Sequence, residues 1–201
     1  MHPNNAFRSG DRALHEMLIE EVGFGMVFAQ TPDGPRVAHT PLVSTGDGAV
    51  QFHLSNGNAL TKHIADCPAL LLVNGPEAYV SARWYDDPDQ APTWNYIALE
   101  MDGPVRRMAP EGLEALIERL VKRHEGRIRG GGGEWTIANL SEGHRTKLMQ
   151  GITGFEMEVR GWRDTVKLSQ NKPEAERERL IDGLQENGSL AIANLMRTLG
   201  N

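Results

Sequence analysis

Cysteine is almost absent from these 201 residues: Cys67 is the only one. One thiol can neither close an internal disulfide nor build a Cys-rich zinc site, which suits a reducing compartment. Lying just before Pro68 and an apolar strand, Cys67 is expected to be buried and inert. No apolar run approaches the roughly 20 residues of a membrane span, and the N-terminus lacks the apolar core of a signal peptide. A cytoplasmic, membrane-free protein is the expectation. Positive charge is also short: 21 Lys and Arg stand against 27 Asp and Glu, a formal charge of −6. Nucleic-acid binders carry a basic face, so direct DNA binding is not expected. The local cluster Arg119, Lys122, Arg123, Arg127 and Arg129 reads as a solvated helix end. No GxSxG elbow surrounds Ser81 or Ser169, no histidine pair has zincin spacing, and no conspicuous carboxylate pair occurs. A serine hydrolase and a metal site are therefore not expected.

What is present is concentrated. Two of the four tryptophans and all three tyrosines fall between Tyr79 and Tyr96. Both residue types join an apolar body to one hydrogen-bonding tip, which suits a surface partly dry and partly wet. Asp86 to Gln90, between the clusters, reads as an exposed loop. The stretch is either a hairpin stapling a core, or the wall of a flat-ligand pocket or subunit interface.

Along the chain, Leu14, Leu18, Ile19 and Val22 recur at helical spacing, and Gly23 closes that helix. Strands follow at Gly25–Thr31, Arg36–Val43 and Ala49–Leu54, joined by turns at Pro32-Asp33-Gly34 and Gly46-Asp47-Gly48. A polar exit from the third strand, Ser55 to Lys62, is expected to open a short helix reaching Asp66, a natural anion corner. Ala69–Val73 is an apolar strand ended by Gly75-Pro76, and Asn95–Met101 a strand ended by Asp102-Gly103. The most regular helix begins at Pro110, with Leu113, Leu116, Ile117, Leu120 and Val121 on one face, and ends near Gly126. The glycines at 130–133 read as a flexible connection. A brief helix from Ser141, strands at Ile152–Val159 and Thr165–Ser169, and two helices broken at Asn187-Gly188 complete the pattern. The second of these is amphipathic through Leu190, Ile192, Leu195 and Met196. Six to eight strands with one long inserted helix and helices at both ends predict a mainly β, α+β barrel. Residues 1–172 are expected to form it, with 173–201 as a helical extension packed on it.

One set of segments suits a flat, anionic cofactor such as flavin mononucleotide (FMN). It comprises His39, Thr40, Pro41 and Leu42; His53 and Leu54 leading into Ser55, Asn56, Asn58, Thr61 and Lys62; Trp84, Trp94 and Asn95; and Lys167, Ser169, Gln170 and Asn171. Aromatics can cover a ring, neutral donors can bond its edge, and charge can take a phosphate.

These blocks carry a resemblance. Ala38-His-Thr-Pro-Leu42, Phe52-His-Leu-Ser-Asn-Gly-Asn58, Gly75-Pro-Glu-Ala-Tyr-Val-Ser81, Trp84-Tyr85 and Pro92-Thr-Trp-Asn-Tyr96 occur in order. His124-Glu125, Gly154-Phe155-Glu156 and Lys167-Leu-Ser-Gln-Asn171 follow. Together they resemble the PaiB-type family, described as FMN-binding negative transcriptional regulators. The resemblance covers nearly the whole chain, and the PTWNY and KLSQN segments are its specific parts. It implies an FMN-binding split β-barrel, similar to the pyridoxamine-phosphate-oxidase-like flavoproteins, with the cofactor at a homodimer interface. It also implies that the phosphate meets the Ser55–Lys62 corner, where Leu-Ser-Asn-Gly-Asn stands in place of a more basic, arginine-bearing segment. Three functions follow: a flavin-binding regulator acting through a protein partner, a flavin-dependent oxidoreductase on a small substrate, or a haem-binding barrel using His39, His53 or His63. No protein acid or base is obligatory in flavin chemistry, so the sequence leaves the first two open.

Overall fold

The structure is a computed structural model that describes residues 2–65, 67–130, 133 and 135–199. In chain order its elements are α1 (Arg12–Val22), β1 (Phe24–Thr31), β2 (Gly34–Ser44), β3 (Ala49–Ser55), β4 (Pro68–Val80), β5 (Thr93–Arg107) and α2 (Pro110–Glu125). Then come α3 (Glu142–Gln150), β6 (Ile152–Glu158), β7 (Gly161–Lys167), α4 (Glu174–Glu186) and α5 (Leu190–Leu199). Glycine makes the early punctuation possible. Gly23 ends α1 at φ +63°, and Gly46 and Gly48, at +81° and +111°, turn β2 into β3. Those angles strain any side chain with a Cβ.

The strands pair in the order β4-β1-β2-β3-β6-β5-β7, and β4 also pairs with β5. With that extra pairing every strand but β7 has a neighbour on both sides, which leaves β7 as the edge strand. The fold is the expected α+β split β-barrel.

The chain divides into two units. The first holds residues 16–73 and 100–162. Its ladder sets Leu42 opposite Phe52 and Phe52 opposite Phe155, all fully buried. The two phenylalanine rings stack with centroids 5.6 Å apart, the kind of cross-strand pair that stabilises a sheet. Leu113, Leu116 and Leu120 are the buried face of α2, and the last two pack with Val43. Its basic side is not merely solvated: Arg119 donates to the Ser44 carbonyl, Arg123 to that of Leu42, and Arg127 to those of Glu20 and Glu21.

The second unit holds residues 1–15, 74–99 and 163–201. Leu180, Ile181 and Leu184 of α4 and Ile192, Ala193 and Met196 of α5 are its buried helical residues. Gly188, at φ +80°, breaks the two helices apart as expected. Leu190 departs from the amphipathic reading and is exposed, because it sits at the first turn, ahead of the buried stripe.

Several boundaries differ from the sequence reading. β4 runs through Gly75-Pro76, since proline's fixed φ lies within the extended range and costs only one ladder donor. β5 likewise passes Asp102-Gly103: a Cβ on Gly103 would overlap the Glu158 carbonyl, so this glycine permits a close crossing, not a turn. β7 begins at Gly161, four residues before the expected Thr165, and ends before Ser169, whose φ of +60° is not strand geometry. Cys67 is exposed, because it precedes the first residue of β4: its backbone is tied down, N–H to the Ile64 carbonyl and carbonyl to the Val105 N–H, while its side chain is left at the surface. After β3 there is one 3-10 turn, Ala59–Lys62, in place of a helix. Asp66 and most of the glycine run lie outside the described residues.

Candidate functional site

The corner after β3 is shaped by its own polar side chains. Asn58 Oδ1 accepts from Leu60 N–H at 2.9 Å, and Thr61 Oγ1 donates to the Ser55 carbonyl at 2.7 Å. Ser55 Oγ accepts from Gly57 N–H at 3.3 Å. Such local bonds compete with helix formation, which is why only one turn forms. Asn56 reaches outwards: Nδ2 donates to the Gln150 carbonyl at 2.7 Å, and Oδ1 accepts from Thr153 Oγ1 at 2.7 Å. The neutral groups singled out in the sequence are thus engaged in building the loop. A four-residue turn also lacks the aligned peptides of a helix dipole.

What the corner offers outwards is positive charge. Lys62 is exposed at the end of the turn. Arg107, at the last position of β5, donates Nη2 to the Thr61 carbonyl at 2.9 Å, its guanidinium 5.8 Å from the centre of the Phe155 ring. One such bond leaves most of the five-donor fork open. The arginine missing from the corner's own sequence is therefore supplied by another strand, and no local motif could have announced it.

Behind the corner, Thr40 is buried and donates Oγ1 to the His53 carbonyl at 2.6 Å. Leu42 and Leu54 point into the core. Leu42 opposite Phe52 puts Pro41 beside His53, so His39 and His53 share a face as diagonal neighbours. His39 is exposed and stacks on Phe24 at 6.4 Å, while His53 stands opposite Gly154. His53 Nδ1 is buried with no partner among the described residues, and burial holds the ring's pKa below its ordinary 6.5. The imidazole is neutral at pH 7 and keeps one polar atom unspent.

The remaining candidates lie in the second unit and are mostly bonded to one another. Asn95 is fully buried; its Nδ2 donates to Ser169 Oγ at 2.9 Å. Lys167 donates to the Trp94 carbonyl at 2.6 Å, and burial lowers its pKa. Gln170 accepts from Leu168 N–H at 2.8 Å and donates to the Ala6 and Val166 carbonyls. Asn171 is exposed. A Cβ on Gly183 of α4 would come within 2.5 to 2.7 Å of the Trp84 ring, so that face of the indole is covered. Trp94 stays 52% exposed, edge-on to Tyr79 at 6.0 Å. The specific PTWNY and KLSQN segments therefore meet in a buried Asn95–Ser169 lock.

One sheet face of the first unit is apolar and open. The register aligns Leu72, Met26 and His39, and beside them Leu70, Phe28 and Val37. Phe24 and Val37 are 49% and 43% exposed, and the others save His39 are half-buried.

A family model described as "Putative FMN-binding domain" matches residues 1–161. The chain belongs to this family. The PaiB-type resemblance holds with it: "Protease synthase and sporulation protein PAI 2" of Bacillus subtilis is 28% identical over 172 residues, covering 84% of this chain and 81% of the relative. An uncharacterised protein of Emericella nidulans is 25% identical, covering 83% and 80%. Among solved structures, the FAD and heme binding protein from Mycobacterium smegmatis superposes with a TM-score of 0.62 at 13% identity, covering 86% of this chain and 78% of that one. The flavocytochrome Anf3 from Azotobacter vinelandii gives 0.62 at 13%, covering 83% and 72%. At such identity these two share the fold alone. FMN is the cofactor that the family's description names, as the sequence led one to expect. Among the described residues no helix is long and apolar enough to cross a membrane.

Proposed function

We propose that the chain is an FMN-binding regulatory protein that works as a cytoplasmic homodimer. The observation that carries the reading is the delivery of Arg107 to the Lys62 corner, which gives a phosphate two cations at one loop. The residues fit the cofactor. Lys62 and Arg107 would hold the phosphate, and the unspent Nδ1 of the half-buried, neutral His53 would bond the edge of an uncharged ring. His39 to Leu42 and Ser55 to Thr61 shape the ground between them. Bound FMN would supply electron transfer, whether for catalysis or for redox sensing. Homodimerisation is supported by the open apolar face of β4, β1 and β2, continuous with His39. The barrel domain ends at residue 172 in this reading, with 173–201 as a helical extension packed on it.

Regulation through a protein partner is favoured over direct contact with DNA. The net charge is −6, and Arg119, Arg123 and Arg127 are spent on carbonyls. Nanomolar, sequence-selective DNA binding at physiological salt would overturn that part.

Flavin-fluorescence titration tests the cofactor site. Lys62→Ala and Arg107→Ala should each weaken FMN binding by roughly one to two decades, the worth of one charge-assisted contact, and high salt should blunt both effects. Wild-type affinity in both variants would remove the corner from the site. A purified protein with a Soret band and no flavin bands would favour haem instead. Light scattering at twice the chain mass, reduced to the 22.2 kDa monomer by Phe24→Asp, tests the dimer.

A further inference from the structure

Under the first turns of α2 lies a cleft that the flavin reading does not use. It encloses about 380 Å³ between α2, α3 and β6, all in the first unit. Its walls are apolar where Met108, Leu113, Met149 and Ile152 meet. Glu114 on α2 and Arg145 on α3 are the charged residues of its lining, and neither makes an ion pair with a described residue. The volume lies in the range of small-molecule sites, and the mixture of an apolar lining with a few polar groups is what such sites share.

The α3 wall is unusual in its own right. It contributes no buried side chain, and nine residues are too few to persist as helix on propensity alone. Its C-terminal end is pinned by Asn56, whose N–H donates to the Gly151 carbonyl and whose amide donates to that of Gln150. A helix with no core of its own, standing off α2 across a gap, presents Arg145 at the mouth of the cleft, exposed and within its lining.

We propose that this cleft binds a small molecule with an apolar body and a single carboxylate, the carboxylate taken by Arg145. A guanidinium presents a planar fork that matches a carboxylate's two oxygens. Glu114 sets the charge limit: a second negative charge in the same cleft would be repelled by its carboxylate, which disfavours phosphate dianions. None of the residues proposed for the flavin lines the cleft, so the two sites fail independently.

Isothermal titration of the full chain with 4-phenylbutyrate and with 4-phenylbutan-1-ol tests the proposal, because the probes differ only in the charged end. The acid should bind about tenfold tighter than the alcohol. Arg145→Gln should erase that difference while leaving the alcohol's affinity unchanged. Thr146→Trp, which fills the cleft from a helix with no buried side chain, should abolish both. Saturating FMN should alter none of these results. Absence of binding, equal affinity of acid and alcohol, or an undiminished preference for the acid in Arg145→Gln would each overturn it. If Thr146→Trp loses its fold by circular dichroism, the Arg145→Gln pair of titrations decides alone.

Discussion

His15 Nε2 stands 2.7 Å from Asp164 Oδ2, and both side chains are almost wholly buried. The same carboxylate accepts the N–H groups of Ser9 and Gly10 at 3.1 and 3.0 Å. One aspartate in the middle of β7 therefore fastens the N-terminal segment. Asp164→Ala strands three buried or half-buried donors, and should cost about 3 kcal/mol. A lower urea midpoint together with faster proteolysis before residue 12 is the expected result; an unchanged midpoint would show that the carboxylate is dispensable.

His53 should give stability an acid limb. Burial lowers its folded pKa below 6.5, so the unfolded chain takes up the proton first as pH falls. Stability is whole above about pH 6.5 and drains away between there and the lowered folded value. His53→Gln should flatten that limb in denaturation midpoints measured across pH 5 to 7. A limb of unchanged slope would assign it to other groups.

Gly183 and Trp84 should behave as one packing unit. Gly183→Ala drives a methyl into the indole, and overpacking of this kind costs about 1–3 kcal/mol. Pairing it with Trp84→Leu should recover part of the loss, as contacting residues do in a double-mutant cycle. Strict additivity of the two changes would separate them.

Asn56→Ala should loosen the end of α3 without unfolding the barrel, because its amide makes two of the residue's three outward bonds and only the backbone N–H bond to Gly151 survives. Hydrogen exchange should speed up at residues 149–153 and stay put in β1 and β2. Uniform protection would mean that β6 holds the helix without Asn56.

The strands, the long helix and their turns were legible because glycine and period-two or period-3.6 patterns act locally. The exceptions share a cause. Gly75-Pro76 and Asp102-Gly103 look like turns, yet the first is extended backbone that tolerates a proline, and the second is decided by the Glu158 carbonyl beside Gly103, a neighbour the sequence does not show. The candidate site divides in the same way. His53, Ser55 and Lys62 could be named from a strand exit, whereas Arg107 belongs to the corner only through the β5–β6 ladder that sets it opposite Phe155. Asn95 and Ser169 stood out by their motifs, but their bond to each other did not, since a buried side-chain lock and a ligand donor use the same residue types.

The arginines of α2 keep count. Arg119 bonds the carbonyl of Ser44 and Arg123 that of Leu42, four residues along the helix against two along β2. Four helical residues advance about 6.0 Å, and two strand residues about 6.6 Å. Helix and strand therefore mesh like rack and pinion, running in opposite directions, and Arg127 takes the next tooth on the end of α1. A single residue inserted between 119 and 123 would swing the Arg123 guanidinium about 100° off its carbonyl. Length changes in this helix are thus confined to the loops that flank it.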